Sequence, residues 1–342
     1  MIFAALVLTG AAAVPAFEHF YNLEFDEAIA GFASEVAHNP KDATNHNHLA
    51  LAILYRELFR SGALETELVT GGNPFLRRAK LKPGVEDRER FEEAIGRSME
   101  LSQARLAADP RDAAAMYTLG VAHGLRANYN FLVRKAWRDA LKDATAARRH
   151  HRRVTELDPT WIDARLIQGV HEYVVGSLPW GWRILGFLAG FRGNKEEGIR
   201  TLELVAEQGR LNRVDAQVLL CAVYRRERRP AKAAALLEGL VHAFPRNFLF
   251  HLELSQMHSD IGDKTRALAV LDNLIARKRK GEFPRLPLER ILYAKGVVQF
   301  WYFDLDDAIP NLERAAASAE DLDLNTGSMA WLRLGQVYDL KG

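Results

Sequence analysis

Cysteine is almost absent. Cys221 stands alone in 342 residues, which excludes an intramolecular disulfide and any paired-cysteine metal or redox motif. A lone small thiol in an apolar run reads as a core residue rather than a nucleophile. An excess of one charge is missing too: Lys and Arg number 46 against 44 Asp and Glu, and a net +2 is too small to imply nucleic acid or acidic lipid. Beyond the first residues no stretch is long and apolar enough to span a bilayer. The chain contains no P-loop, no G-x-G-x-x-G after a strand pattern, no H-E-x-x-H and no G-x-S-x-G, so the usual phosphate, dinucleotide, zinc and acyl-transfer signatures are all missing. No catalytic residue, metal set or cofactor is therefore assigned. At 48% hydrophobic and 26% charged residues, the composition is that of an ordinary soluble chain with a large core.

The first residues, MIFAALVLTGAAAVPAF, form a short apolar run followed by small residues. Ala11 and Ala13 fit the −3 and −1 positions of a signal-peptidase site, while no Lys or Arg precedes the run. Residues 1–13 are read as a signal peptide with a shortened start, which makes the protein exported or periplasmic. The alternative is the first helix of a first repeat in a cytoplasmic protein.

An internal repeat organises the rest. Trp331, Leu334, Gly335 and Tyr338 spell W-x-x-L-G-x-x-Y, the first-helix (A) signature of a tetratricopeptide repeat (TPR). The large residues fill one stripe and the glycine lets a neighbouring helix approach. The second-helix (B) pattern recurs as Ala233, Leu237, Leu240 and Pro245 with Tyr224 before it. It returns as Ala267, Leu271 and Leu274, then as Gly296 with Ala308, Leu312 and Ala315. Near the start Ala28, Phe32 and Pro40 match it, and Leu119-Gly120 match helix A. Pro110 and Pro159 close two more units, since proline cannot continue a helix. Asp112, Thr160, Asn194 and Asn247 precede apolar-periodic runs as N-caps, with Asn194 and Glu197 as a capping box. The pattern predicts an all-α fold, a right-handed superhelical solenoid of TPR-like helix pairs. Residues 14–342 form one solenoid of about seven pairs and a final helix A, with inserts near 62–84, 126–138 and 177–191.

Two of the inserts carry a resemblance. NYNFLVRKAW (Asn128–Trp137), with VGSLPWGWRILGFLAGFRGNKEEGI further on, resembles a bacterial family of TPR proteins of unknown function, over most of the chain. It is similar, more distantly, to the inclusion-body-clearance proteins related to tetratricopeptide-repeat family 39. Those carry a Leu-Pro-rich segment before a Phe-Ser-Gly-Asp turn; here the turn reads Phe191-Arg192-Gly193-Asn194. The resemblance implies a helical scaffold and brings no activity or catalytic residues.

Residues able to carry chemistry are few. His46 and His48 lie two apart, on different faces of a helix, where a metal pair needs three or four. His150 and His151 are adjacent and flanked by arginines. All four read as solvated or capping histidines. Carboxylates are matched by Lys or Arg one turn away, as Glu57 by Arg60. Arg138, Lys142, Arg149 and Arg153 form a basic stripe with interleaved aspartates, which reads as a solvated face, so no nucleic acid is expected. Binding surfaces are more informative. Helix A of each repeat lines the inner groove, which places Tyr117, Tyr173, Tyr293, Phe300 and Trp301 there to grip a peptide or helix; the Lys/Asn clamp for a C-terminal carboxylate is not in register. The insert 177–191 concentrates Trp180, Trp182, Phe187 and Phe191, and is read as folding back onto the solenoid with Trp180 and Phe187 buried.

The functional reading is a non-catalytic protein-interaction scaffold binding a peptide or helix in an aromatic-lined groove. The alternative is a module for an apolar or lipid-like ligand, or contact with a membrane surface, through the insert. The last helix A, with no helix B after it, is expected to be covered by further chain, a second protein or a second copy.

Overall fold

A computed structural model describes residues 13–64, 81–179 and 192–342. Among the described residues are fifteen α-helices and no strand. They divide into two compact units, Met1–Val223 and Tyr224–Gly342. The N-terminal segment, most of the 62–84 insert and the four aromatics Trp180, Trp182, Phe187 and Phe191 lie outside the described residues, save that Ala13 opens the first helix.

In the first unit the helices are α1 (Ala13–Tyr21), α2 (Phe25–His38), α3 (Ala43–Arg60), α4 (Val85–Ala108), α5 (Ala113–Asn128), α6 (Trp137–Leu157), α7 (Leu166–Gly176) and α8 (Lys195–Gln208). Helix α9 (Arg213–Arg226) carries the boundary between the units. The second unit adds α10 (Pro230–Ala243), α11 (Phe248–Ile261), α12 (Lys264–Arg279), α13 (Leu288–Trp301), α14 (Leu305–Ala317) and α15 (Leu324–Lys341). Successive helices pack on one another from α1 to α8 and from α10 to α15, and alternate helices touch as well: α3 on α5, α11 on α13, α13 on α15. This is the TPR arrangement, in which each pair buries its face against the next.

The stripes read from the sequence are the core. Ala28 and Phe32, Ala233 and Leu237, Ala267 and Leu271, and Ala308, Leu312 and Ala315 are all buried. Helix ends follow from local chemistry. Pro40, Pro110, Pro159 and Pro245 each stand two residues past the end of α2, α4, α6 and α10. The side chains of Asp112, Asn194 and Asn247 accept from the free N–H groups of the helices they precede. Two details differ from the sequence reading. Asn194 does cap α8, but its own N–H donates to Glu172 (2.9 Å) rather than to Glu197, which pairs with Arg200. Thr160 caps no helix; it sits in a turn where its hydroxyl donates to Asp158 (2.6 Å).

The turns inside the pairs share one geometry. Leu23, Arg228, Gly262 and Phe303 all have positive φ. The N–H groups of Glu24, Arg229, Asp263 and Asp304 each reach back to a carbonyl five residues earlier. That is the left-handed helix stop with its long return bond. Only one of the four uses glycine, so the others hold an L side chain in the strained region.

Close approach sets the spacing of α7 and α8. A Cβ on Gly198 would stand 2.3 Å from the backbone nitrogen of Tyr173 and 2.7 Å from the Gly169 oxygen. Backbone cannot yield as a side chain can, so Gly198→Ala should destabilise the first unit by about 2 kcal/mol or more even after alanine's helix preference is credited. Gly239→Ala, exposed on α10 with nothing within 4 Å, should instead stabilise by about 1 kcal/mol. Denaturant melts of the two variants check the pair; equal effects would refute the packing account.

Candidate functional site

Polar groups from five separate elements meet inside the first unit. Asp163 lies in a short 3-10 turn before α7. Its carboxylate accepts from three successive N–H groups leading into α9: Arg210 (3.3 Å), Leu211 (2.9 Å) and Asn212 (2.8 Å). Consecutive backbone N–H groups of this kind make an anion-binding concavity. So held, the Asn212 amide donates to the Tyr117 hydroxyl of α5 (2.8 Å) and to the Asp163 carbonyl (3.0 Å). One turn on, Asp215 accepts from the hydroxyl of Tyr21 on α1 (3.2 Å). Burial, with the Asp215 charge adding to it, drives the phenols of Tyr21 and of Tyr55 on α3 well above their usual range. Burial does the same to Tyr117, with Asp163 the next contributor. Phenols so shifted do not exchange protons at neutral pH. The cluster ties α1, α5 and α9 together and is structural.

This explains where the groove reading departs from the structure. Tyr117 and Tyr173 are buried, not presented to a ligand. Tyr117 is stacked on Trp161 and edge-on to His151. In the first unit the protein's own side chains fill the space between the A helices. An apolar stripe on helix A shows that a face is covered, not what covers it.

A second cluster sits where α5 runs into α6 through a π-helical turn, Tyr129–Val133. Buried Asp143 accepts from His123 Nδ1 (2.9 Å), from Arg126 Nε and Nη2 (2.9 and 2.7 Å) and from Asn130 Nδ2 (3.1 Å). Burial works to raise this carboxyl, but the bonds from His123 and Arg126 and the Arg126 charge outweigh it and hold it below the usual range. Fully bonded and charge-matched, Asp143 has no capacity left as a base. His150 stacks on His123, ring centroids 5.6 Å apart.

The histidine reading needs correction. His48 and His151 are neither solvated nor capping; both are buried, His48 between Phe17 and Phe32. No ring nitrogen of either has a hydrogen-bond partner among the described residues. Burial pushes both imidazoles down to about 3. His46 is buried too, and its Nε2–H donates to the Pro40 carbonyl (2.9 Å). Elsewhere the placements match the sequence: Glu57 pairs with Arg60 (3.1 Å), Cys221 is buried, and Arg138, Lys142, Arg149 and Arg153 are exposed. Among the described residues no three His, Cys, Asp or Glu side chains are grouped to hold a metal, and no helix is long and apolar enough to cross a membrane.

The second unit differs. Tyr293 and Phe300 pack into the core of α13, α14 and α15, Tyr293 only partly buried. Trp301, the next residue, is 55% exposed. The Arg333 guanidinium of α15 lies over both rings, 4.8 Å from the Trp301 centroid and 5.0 Å from that of Phe300. Of the twelve large apolar side chains exposed among the described residues, seven lie between Trp301 and Leu340. None of the polar clusters or histidines above carried a local signal in the sequence; Tyr21 and Asp215 stand 194 residues apart.

No protein-family model matches the chain, and no curated protein does. Solved structures similar to it include a tetratricopeptide-repeat protein from Parabacteroides merdae (11% identity, covering 94% of this chain and 100% of that one, TM-score 0.34). Yeast Tom70 is similar at 12% identity (95% and 88% covered, TM-score 0.25), and the TPR domain of P58(IPK) at 13% (95% and 99% covered, TM-score 0.28). At these values the fold rests on the chain's own helix packing.

Proposed function

We propose that the chain is a non-catalytic protein-interaction scaffold that takes its partner on the second unit, gripping a peptide or helix at Trp301. The observation that supports this reading is Trp301 itself: a large, half-exposed ring beside the buried Phe300, held in place by the Arg333 guanidinium on its face. A fixed aromatic surface next to a cation loses little freedom on binding and offers both area and charge. Inside the first unit Asp163 is held by backbone N–H groups, Asp143 by His123, Arg126 and Asn130, and Tyr117 by Asn212, bonding that supports a binding role rather than proton transfer.

The test is quantitative capture from the source cells with the intact chain as bait. Trp301→Ala should lower recovery of the specific partner at least tenfold, in line with the roughly 2 kcal/mol lost when an aromatic anchor is truncated. Trp137→Ala, an exposed aromatic on the first unit, should leave recovery unchanged. Equal recovery with both variants removes Trp301 from the binding surface.

A further inference from the structure

We propose that the outward face of α6 is a docking site for an acidic helical segment of a partner protein, held by Arg138, Lys142 and Arg149. The contact lies on the first unit, goes beyond the Trp301 reading and stands whether or not that reading does.

The carboxylates that interleave with these cations in the sequence do not interleave in space. Asp143 is on the buried side of α6, with Ala140, Ala147, His151 and Val154, and is taken by His123, Arg126 and Asn130. Asp139 turns to the flank, where Arg134 stands 4.0 Å from it. Glu156, near the C-terminal end, holds Arg153 (3.0 Å) and Arg152 (3.4 Å). Opposite the core, on one helix face, that leaves Arg138, Lys142 and Arg149, all exposed. None of the three has an ion-pair or hydrogen-bond partner among the described residues. They span about 16 Å of the helix axis. Thr145 falls between them with its hydroxyl donated to the Leu141 carbonyl (2.8 Å), and Leu141 itself, 54% exposed, edges the row. Trp137 lies to the side, edge-on to Phe131 with ring centroids 4.7 Å apart.

The occupant follows from that arrangement. Three like charges fixed in one row on a packed helix raise a positive potential that an anionic partner relieves. A second helix with carboxylates at the same spacing meets all three at once and sets an apolar side chain beside Leu141. A lipid surface is the poorer occupant, because the apolar face that an interfacial helix buries is already in the core. Nucleic acid is poorer too: one short row offers few phosphate contacts, in a chain of net charge +2.

The probe is a labelled, helix-forming synthetic peptide with Glu at i, i+4 and i+11. Anisotropy with the intact chain should show saturable binding in low salt that weakens in high salt. Lys142→Glu combined with Arg149→Glu should weaken it at least tenfold while the melting temperature stays level. A peptide with Lys in place of the three Glu should bind that double variant and not the parent. Arg279→Glu combined with Lys280→Glu, an equal charge change at the exposed end of α12, should leave binding unchanged. Absence of saturable binding overturns the proposal, as does binding indifferent to the Lys142→Glu, Arg149→Glu pair. Equal binding of a scrambled peptide of the same composition overturns it too, because the row would then be reading charge without spacing. Tighter binding through these residues to phosphatidylserine–phosphatidylcholine vesicles or to a DNA duplex also overturns it, and gives the face to lipid or nucleic acid.

Discussion

Brought from pH 7 to pH 4.5, the protein should lose about 5 kcal/mol of stability through His48 and His151, the two largest contributors. Both rings are buried and neutral, with pKa values of about 3 against an ordinary 6.5. Burial is the main cause in each, and neighbouring His150 adds to it at His151. A base whose folded pKa is depressed contributes stability above its unfolded pKa and loses it as the pH falls toward the folded one. Below 6.5 the unfolded chain takes up a proton at each histidine and the folded chain does not. Each therefore costs about 1.4 kcal/mol per pH unit, and the pair twice that. Carboxylates held below their usual range, such as Asp143 and Asp112, act only below about pH 4, whereas His150, lowered to about 4 by burial, and His171 and His251, lowered by burial too, add to the loss in the same sense. Glu57, raised by burial, works weakly in the opposite sense. Urea melts at pH 7 and pH 4.5 measure the loss. The double variant His48→Leu, His151→Leu should remove the larger part of it, and should be more stable than the parent at pH 7, because four unbonded buried nitrogens are gone. An unchanged pH slope in that variant would show that other groups drive the loss.

That two of the most buried side chains are histidines shows what the sequence conceals. The repeat was legible wherever one residue type does one job: alanine and leucine at helical spacing in α10, α12 and α14, proline two residues past a helix, aspartate or asparagine before one. It was not legible where a residue acts against type. His48 reads as polar and is packed between two phenylalanines. Leu23, Arg228 and Phe303 hold left-handed turns that glycine or asparagine would have announced. Tyr117 and Tyr173 depart from the groove reading for a different reason. Tyr117 and Tyr173 stand where a stripe of helix A should, but the stripe cannot say whether a ligand or the protein's own Asn212 occupies the other side. Trp301 stands in the same kind of position and is open, because α15 brings Arg333 across it and leaves half the ring to solvent.

Asp163→Ala should be among the most damaging single substitutions in the first unit, at about 3 kcal/mol. The carboxylate is buried and accepts from three successive backbone N–H groups, those of Arg210, Leu211 and Asn212. Leaving a buried donor unbonded costs about 1–3 kcal/mol, and water entering the turn recovers part of the sum. The damage extends beyond the turn. Asn212 reaches Tyr117, and Asp215 reaches Tyr21, only while the start of α9 is held in place. Once that hold is lost, α9 loosens from α5 and α1 together. Asp163→Asn keeps an acceptor oxygen but gives up the charge, and should cost about half as much. Hydrogen exchange distinguishes this from general weakening: amides of α9 should exchange well before those of α2 and α3 in Asp163→Ala, and only slightly before them in Asp163→Asn. If the α9 amides stay as protected as in the parent, the carboxylate is not what anchors that helix.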